Sequence, residues 1–375
     1  MQPLSGVRVL DFSTLLPGPL CTLMLAEAGA DVIKIERPGM GDEMRTYEPK
    51  LGTDSVNFAM LNRGKRSIAL NLKDQAVIDT IHDLIKQTDV VVEQFRPGVM
   101  DRLGLGYEAL SAINPKLVYC SITGWGQHGP LADMAAHDLN YQAQSGMLSL
   151  SADEAGNPTI PPTLTADIAG GTYPAVINIL LALRQRDMTG EGQHLDIAMA
   201  DNLFTFMYWG LGNGLAAKQW PTAGKDLVTG GSARYQIYKT ADGRFLAAAP
   251  LEDRFWATFL EIIGLPDLQS ADTMADVREQ VANRLAEHPL NYWLERFANQ
   301  DVCVSEVRSL EQATEDRHFH ARDVFSHQVT TADGAMTTAL PTPIASAFRG
   351  TDLSQQSPAL GQHTDEVVGK TSKNQ

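Results

Sequence analysis

The chain has 375 residues, of which 43% are hydrophobic and 20% charged, with 31 Gly and 19 Pro. That composition is globular, excludes a disordered or fibrous chain, and goes with a length beyond one small core. A formal net charge of −15 argues against nucleic acid or an anionic membrane as the main partner, although a local basic cluster can still hold an anionic ligand.

The start, "MQPLSGVRVLDFS", has no basic segment followed by an apolar one, and "PAVINILLAL" (174–183) is too short to span a bilayer. Cys21, Cys120 and Cys303 are scattered without a CxxC pair, so neither a disulfide framework nor a structural metal is expected. These features predict a cytoplasmic protein. Cys21 and Cys120 stand in apolar surroundings and read as core filler.

In the first third, strand and helix alternate. "VRVLDFS" reads as a strand, "GPLCTLMLAEAGA" as a buried helix ending at Gly29, and "DVIKIERPG" as a second strand. "SIALNLK" reads as a strand, "DQAVIDTIHDLIKQT" as an Asp-capped amphipathic helix, and "DVVVEQF" as a strand. "PGVMDRLGLGYEALSAI" is helical with a break, and "LVYCSIT" is a further strand. β-branched runs separated by helices predict an α/β, Rossmann-like parallel sheet covered on both faces. From about 130 to 210 the pattern is mainly helical, including "QHLDIAMADNLFTFMY". The expected partition is a large domain over 1–210, to which 325–375 returns, a Gly-rich linker at 211–235, and a smaller α+β domain over 236–324. Within the latter, "YQIYKTADGRFLAAAP" is a hairpin with an Asp-Gly turn, followed by helices over about 253–315. From about 355 the sequence thins into a polar tail.

Several residues invite a chemical reading, each beside a plainer one. Gly18 lies between two prolines at a helix start, where an oxygen can be held or a buried helix simply begins. Arg37 and Arg96 close apolar strands, and Arg63, Lys65 and Arg66 cluster in "LNRGKRS". At the carboxyl ends of an open sheet such cations suit a phosphorylated ligand, though surface arginine is common. Gly124 opens a glycine-rich loop, "GWGQHGP", able to approach a ligand or to make a tight connection. His137, Asp167 and Glu252 each precede or open a helix, so capping competes with acid–base work.

Taken in order, "GVRVLDFS", "GADVIKIERPG", "LNRGKRSIALNLK", "LVYCSITGWGQHGP" and "HDLNY" resemble the family III CoA-transferases, whose fold includes the α-methylacyl-CoA racemases. The resemblance runs from about residue 4 to 345, and "HDLNY", "ADIAGG", "PLEDRFW" and "DVCVSEV" are most similar to the racemase branch. It implies a CoA thioester as substrate, no prosthetic group, and an interlocked homodimer in which the small domain of one chain completes the other's site. It also implies a 1,1-proton transfer carried by His137 and Asp167, with Glu252 orienting His137, in cis or across the dimer. Arg37, Arg63, Lys65 and Arg96 would hold the CoA phosphates and adenine, and the Gly124 loop or the amides near Asp167 would steady an enolate. A histidine and a carboxylic acid of raised pKa suit such a transfer. The alternative is CoA transfer through a covalent intermediate on Asp167, and a thioester-binding protein without turnover is a third reading. Leu16 stands where formyl-type transferases have Gln, which favours the racemase. "PLED" and "GKDLVTGGSAR" depart from the racemase pattern, and the acyl chain is not specified.

Overall fold

The computed structural model describes residues 2–153, 155–270 and 274–369. They fall into two compact units. The first holds the described residues of 1–145, 162–206 and 317–375, and the second those of 146–161 and 207–316.

The first unit is built on a parallel sheet. Its elements run β1 (Arg8–Asp11), α1 (Pro17–Glu27), β2 (Asp31–Glu36), α2 (Val56–Asn62), β3 (Arg66–Ala69), α3 (Gln75–Ile85) and β4 (Val90–Glu93). Then follow α4 (Tyr107–Ile113), β5 (Val118–Thr123), α5 (Asp138–Gln144), α6 (Tyr173–Thr189) and β6 (Gln193–Ala198). The six strands lie in the order β3-β2-β1-β4-β5-β6, and every neighbouring pair is parallel. This is the doubly wound order in which the chain reverses direction between β1 and β4, leaving a crevice beyond their carboxyl ends.

Burial explains the elements. Nearly every residue of α1 is buried, as its all-round apolar sequence requires. It starts at Pro17, whose missing N–H costs nothing there, and Gly29 turns the chain at φ +103°. By contrast α3 is amphipathic. Asp74 accepts from the Ala76 N–H at 3.0 Å to begin it, and Ile78, Ile81 and Ile85 enter the core against Leu10, Ile33, Val91 and Tyr119. Cys21 and Cys120 are buried.

Three parts of the first unit differ from the sequence expectation. Gln193–Ala198, expected to be helical, is the edge strand β6. Residues 163–189 include a π-helical turn, Ala166–Thr172, that runs directly into α6. Together Ala166–Thr189 is long and apolar enough to cross a membrane by length and composition, and half of its most apolar stretch is buried. The expected polar tail is structured as far as 369. Ser354–Gln356 pairs with Gln328–Thr330, and the helix Thr364–Val368 follows. His363 Nδ1 accepts from Ser67 N–H and Thr364 Oγ1 from Ala69 N–H, so this segment covers the edge strand β3. Residues 370–375 lie outside the described residues.

The second unit begins earlier than expected. A helix, α7 (Tyr208–Ala217), occupies the first part of the expected linker. The hairpin forms as read, β7 (Gln236–Lys239) against β8 (Phe245–Ala248). It is followed by α8 (Asp253–Ile263), α9 (Met274–Leu285), α10 (Leu290–Phe297) and an unexpected third strand, β9 (Val304–Glu306), on β8. Residues 271–273, within the expected helical span, lie outside the described residues. Trp256, Phe259, Trp293 and Phe297 fill this unit's own core.

Candidate active site

The crevice at the strand reversal is shaped by the turn after β1, residues 12–16, and the segment after β4, residues 94–97. Buried ion pairs fix the first of these. Lys34 Nζ meets Asp42 at 2.9 Å and the Ser13 carbonyl at 2.7 Å, and Asp42 in turn accepts from the Leu15 N–H at 3.1 Å. Leu15 is held at φ +62°, a conformation L-residues rarely adopt. Lys65 Nζ reaches Thr22 Oγ1, the Pro19 carbonyl, Asn62 Oδ1 and Asp11, at 2.7 to 3.2 Å. Burial pulls Lys65 down to about 8. It pushes Asp11 up, but the Lys65 and Lys34 charges and the Ser13 and Thr22 hydroxyls prevail and bring that carboxyl to about 2.

This network corrects the expectation for two of the cations. Lys65 is buried with four protein partners. Arg63 is likewise buried, in an ion pair with Glu27 and in hydrogen bonds to the carbonyls of Met60 and Leu340. Their donors are turned into the protein, and both hold the fold. Gly18 also follows the plainer reading, since its N–H donates to Gln94 Oε1 at 2.9 Å. Arg37 and Arg96 remain exposed, and among the described residues neither guanidinium is in an ion pair. Arg37 lines a cavity of about 570 Å³ with Lys73, Leu72 and Phe95. Arg96 lines a second, of about 340 Å³, and Thr14 and Phe95 border both.

His137, Asp167 and Gly124 share the wall of that 340 Å³ cavity. His137 is the extended residue preceding α5, at φ −129° and ψ 176°, so the capping position and a place in the cavity coexist. Asp167 does not cap. It lies within the π-helical turn, a distortion that recurs at functional sites. That turn packs closely on the Met199 segment because Gly170 and Gly171 have no Cβ to strike Met199, and Asn202 Nδ2 donates to the Gly170 carbonyl at 2.8 Å.

The sequence reading assigned no role to Asp138. This buried residue accepts from the Asp167 N–H at 3.0 Å through Oδ1 and from Gln142 Nε2 at 2.6 Å through Oδ2. It ties the segment bearing His137 to the turn bearing Asp167. Burial first, and the Asp138 charge second, push the Asp167 carboxyl up to about 7. A carboxyl so placed exchanges a proton near neutral pH, as general acid–base chemistry needs. The signal was present in "HD", but a second carboxylate beside a histidine shows its partner only after folding.

Glu252 belongs to the second unit. It precedes α8 in extended conformation, is exposed, and its side chain makes no capping hydrogen bond. Arg234 fixes both its flanks, with Nη1 at 3.0 Å from the Leu251 carbonyl and 2.6 Å from Asp253. Asp253 and Arg234, in the two segments that depart from the racemase pattern, therefore form an ion pair.

A doubly wound α/β unit whose topological switch point carries a cavity lined by a histidine and a carboxyl is the arrangement of a protein that holds a ligand beyond the strand ends. The chain belongs to CoA-transferase family III, which it matches over residues 4–364. It is 34% identical over 374 residues to the alpha-methylacyl-CoA racemase of Mus musculus, covering 97% of this chain and 92% of that protein. It is 35% identical over 327 residues to the acetyl-CoA:oxalate CoA-transferase of Acetobacter aceti, covering 83% and 82%. The crystal structure of a CAIB/BAIF family protein from Brucella suis superposes with a TM-score of 0.82 at 30% identity, covering 97% of this chain and 98% of that one. The family's members are enzymes, and racemases and transferases lie at comparable distance.

Proposed function

We propose that the protein is a 2-methylacyl-CoA racemase, which inverts the carbon next to the thioester by a 1,1-proton transfer. One observation carries this reading: His137 and Asp167 face one cavity, and Asp167 sits near neutral pKa. In one resting state His137 is neutral and Asp167 protonated. His137 takes the α-proton, the C–H electron pair passes into an enolate, and Asp167 returns its proton to the other face. The products are the inverted thioester, protonated His137 and ionised Asp167. The opposite enantiomer meets that second state and runs the sequence backwards, so no net proton is gained or lost.

In this reading the CoA nucleotide lies in the Arg37 cavity and the thioester passes between Thr14 and Phe95 to the proton carriers. Glu252, in cis or across the dimer, orients His137, and the chain works as a homodimer without a prosthetic group. The racemase relatives and the absence of Gln at Leu16 support the assignment. CoA transfer requires Asp167 as an ionised nucleophile, and surroundings that leave about half of it protonated near pH 7 lower the share able to attack. The test is deuterium uptake at C2 of a 2-methylacyl-CoA in D2O. Rapid uptake with loss of optical purity is expected. A protein that incorporates no deuterium but moves CoA to a free carboxylic acid overturns the proposal.

A further inference from the structure

We propose that Tyr141 is a positioning residue for His137. The inference rests on the reading of His137 as a proton carrier. His137 is exposed on a cavity wall and sits just outside a helix, so the helix's own hydrogen bonding does not immobilise its N–H. Three contacts hold the backbone on either side of its imidazole instead, and all come from the "HDLNY" segment. Asn140 Oδ1 accepts from the His137 N–H at 3.0 Å, and the His137 carbonyl accepts from the Asn140 N–H at 2.8 Å. The Tyr141 hydroxyl donates to the carbonyl of Ala136, the residue before His137, at 2.9 Å.

The hydroxyl is anchored from the other side. The Tyr141 ring occupies the space that a Cβ on Gly124 would need, and it meets the Trp125 ring edge-on at 5.0 Å. Trp125 Nε1 donates in turn to the Met134 carbonyl at 3.2 Å, upstream of His137. Tyr141 thus links the glycine loop after β5 to the strand of chain that presents the imidazole. Burial, then the Asp167 and Asp138 charges, hold its phenol up to about 12, so it stays protonated. A phenol has one proton to donate, and this one is given to Ala136. Tyr141 faces the cavity, yet its chemistry is spent on orientation and not on the substrate oxygen.

The experiment uses the full chain with the variants Tyr141→Phe, Asn140→Ala and Asn140→Asp. Two readouts are taken: kcat and KM for deuterium uptake by a 2-methylacyl-CoA, and the imidazole NMR resonances of His137, assigned with His137→Asn. Tyr141→Phe keeps the ring packing and removes only the tether. It is expected to lower kcat by about 10- to 100-fold, the scale of a misplaced catalytic group. KM stays within about twofold, thermal unfolding is unchanged, and the His137 resonances shift or broaden. Asn140→Ala does the same, while Asn140→Asp, which still offers an acceptor to the His137 N–H, restores most of kcat. Wild-type kcat and unmoved His137 resonances in Tyr141→Phe overturn the proposal. If the wild type takes up no deuterium, the racemase reading fails, and the resonances alone still decide whether Tyr141 orients His137.

Discussion

Replacing Asp138 by Asn tests the electrostatic arrangement at Asp167 directly. The carboxylate of Asp138 is buried and accepts from the Asp167 N–H at 3.0 Å, and its charge is the second cause of the raised Asp167 pKa. An Asn oxygen can still accept that N–H, and Gln142 can turn its amide to present oxygen to the new NH2, so the backbone tether survives. The negative charge does not. The two causes together raise the carboxyl by about 3 units and the charge is the smaller of them, so removing it should lower the pKa by about one unit. Burial is the larger cause and remains, so Asp167 is expected to settle between its ordinary 3.8 and its present value of about 7. Near pH 7 the fraction carrying a proton then falls from about one half to about one tenth. The assay is the pH dependence of deuterium uptake, with direct titration of the Asp167 carboxyl by carbon NMR. The limb assigned to Asp167 should move to lower pH by about one unit while circular dichroism stays unchanged. A folded Asp138→Asn protein whose limb and titration remain near 7 refutes the argument that Asp138 tunes Asp167.

Other substitutions separate binding from folding. Arg37→Ala should raise KM for the thioester about tenfold at nearly constant kcat, as expected when uniform binding is lost; an unchanged KM removes Arg37 from the CoA site. Lys65→Met leaves Asp11 buried without its nearest cation and should destabilise the protein by about 3–5 kcal/mol in urea unfolding, whereas a ligand-binding lysine would change KM and leave stability alone. Asp167→Asn should be more stabilising at pH 8 than at pH 5. The native carboxyl has a pKa raised from 3.8 to about 7, so the native state binds more protons than the unfolded chain between those values, and stability is lost as pH rises through about 7. Between pH 5 and pH 8 the difference is about 2.7 kcal/mol, about two units at 1.36 kcal/mol per unit, read as a pH-dependent change in unfolding midpoint; equal effects at both pH values contradict the raised pKa.

What the sequence revealed followed how completely each strand is buried. β1, β2, β4 and β5 lie inside the sheet, flanked by neighbours, and read as β-branched, mainly apolar runs that Lys34 alone interrupts with a buried cation. β6 has a neighbour on one side only, and its sequence, QHLDIA, begins exposed and turns buried at Ile197. Such a pattern carries neither period clearly, and the helical run before it captured the assignment. The cations failed for a different reason. Arg63 and Lys65 flank a glycine and look solvated, but their partners Glu27 and Asp11 lie 36 and 54 residues away. Charge pairing over that distance is a property of the folded chain. Arg37 and Arg96 were legible because a strand end followed by Pro-Gly fixes their location without a distant partner. The pair His137 and Asp167 came from the family resemblance. Geometry then added Asp138, Asn140 and Tyr141, the rest of the same short motif.

The last prediction turns on the protonation of Asp167, because the family's two chemistries need opposite forms of it. An acyl-transfer nucleophile must be ionised, so a transferase using this residue should speed up as pH rises and level off above about 7. A racemase needs one carrier loaded and the other empty. Its rate should therefore pass through a maximum, falling when both groups are protonated and again when both are bare. Removing His137 sharpens the distinction. His137→Ala should abolish deuterium uptake, since one face of C2 loses its proton carrier, yet it leaves the Asp167 carboxylate able to attack a thioester. Assayed across pH 5–9 with a 2-methylacyl-CoA and, separately, with an acyl-CoA plus a free acid, the wild type is expected to show the bell and the variant neither activity. A monotonic rise with pH that survives His137→Ala, together with a hydroxylamine-sensitive adduct on Asp167, identifies a transferase instead. Burial that holds Asp167 near 7 leaves both forms populated at neutral pH, so the shape of the pH profile, and its survival in His137→Ala, decides between the two chemistries.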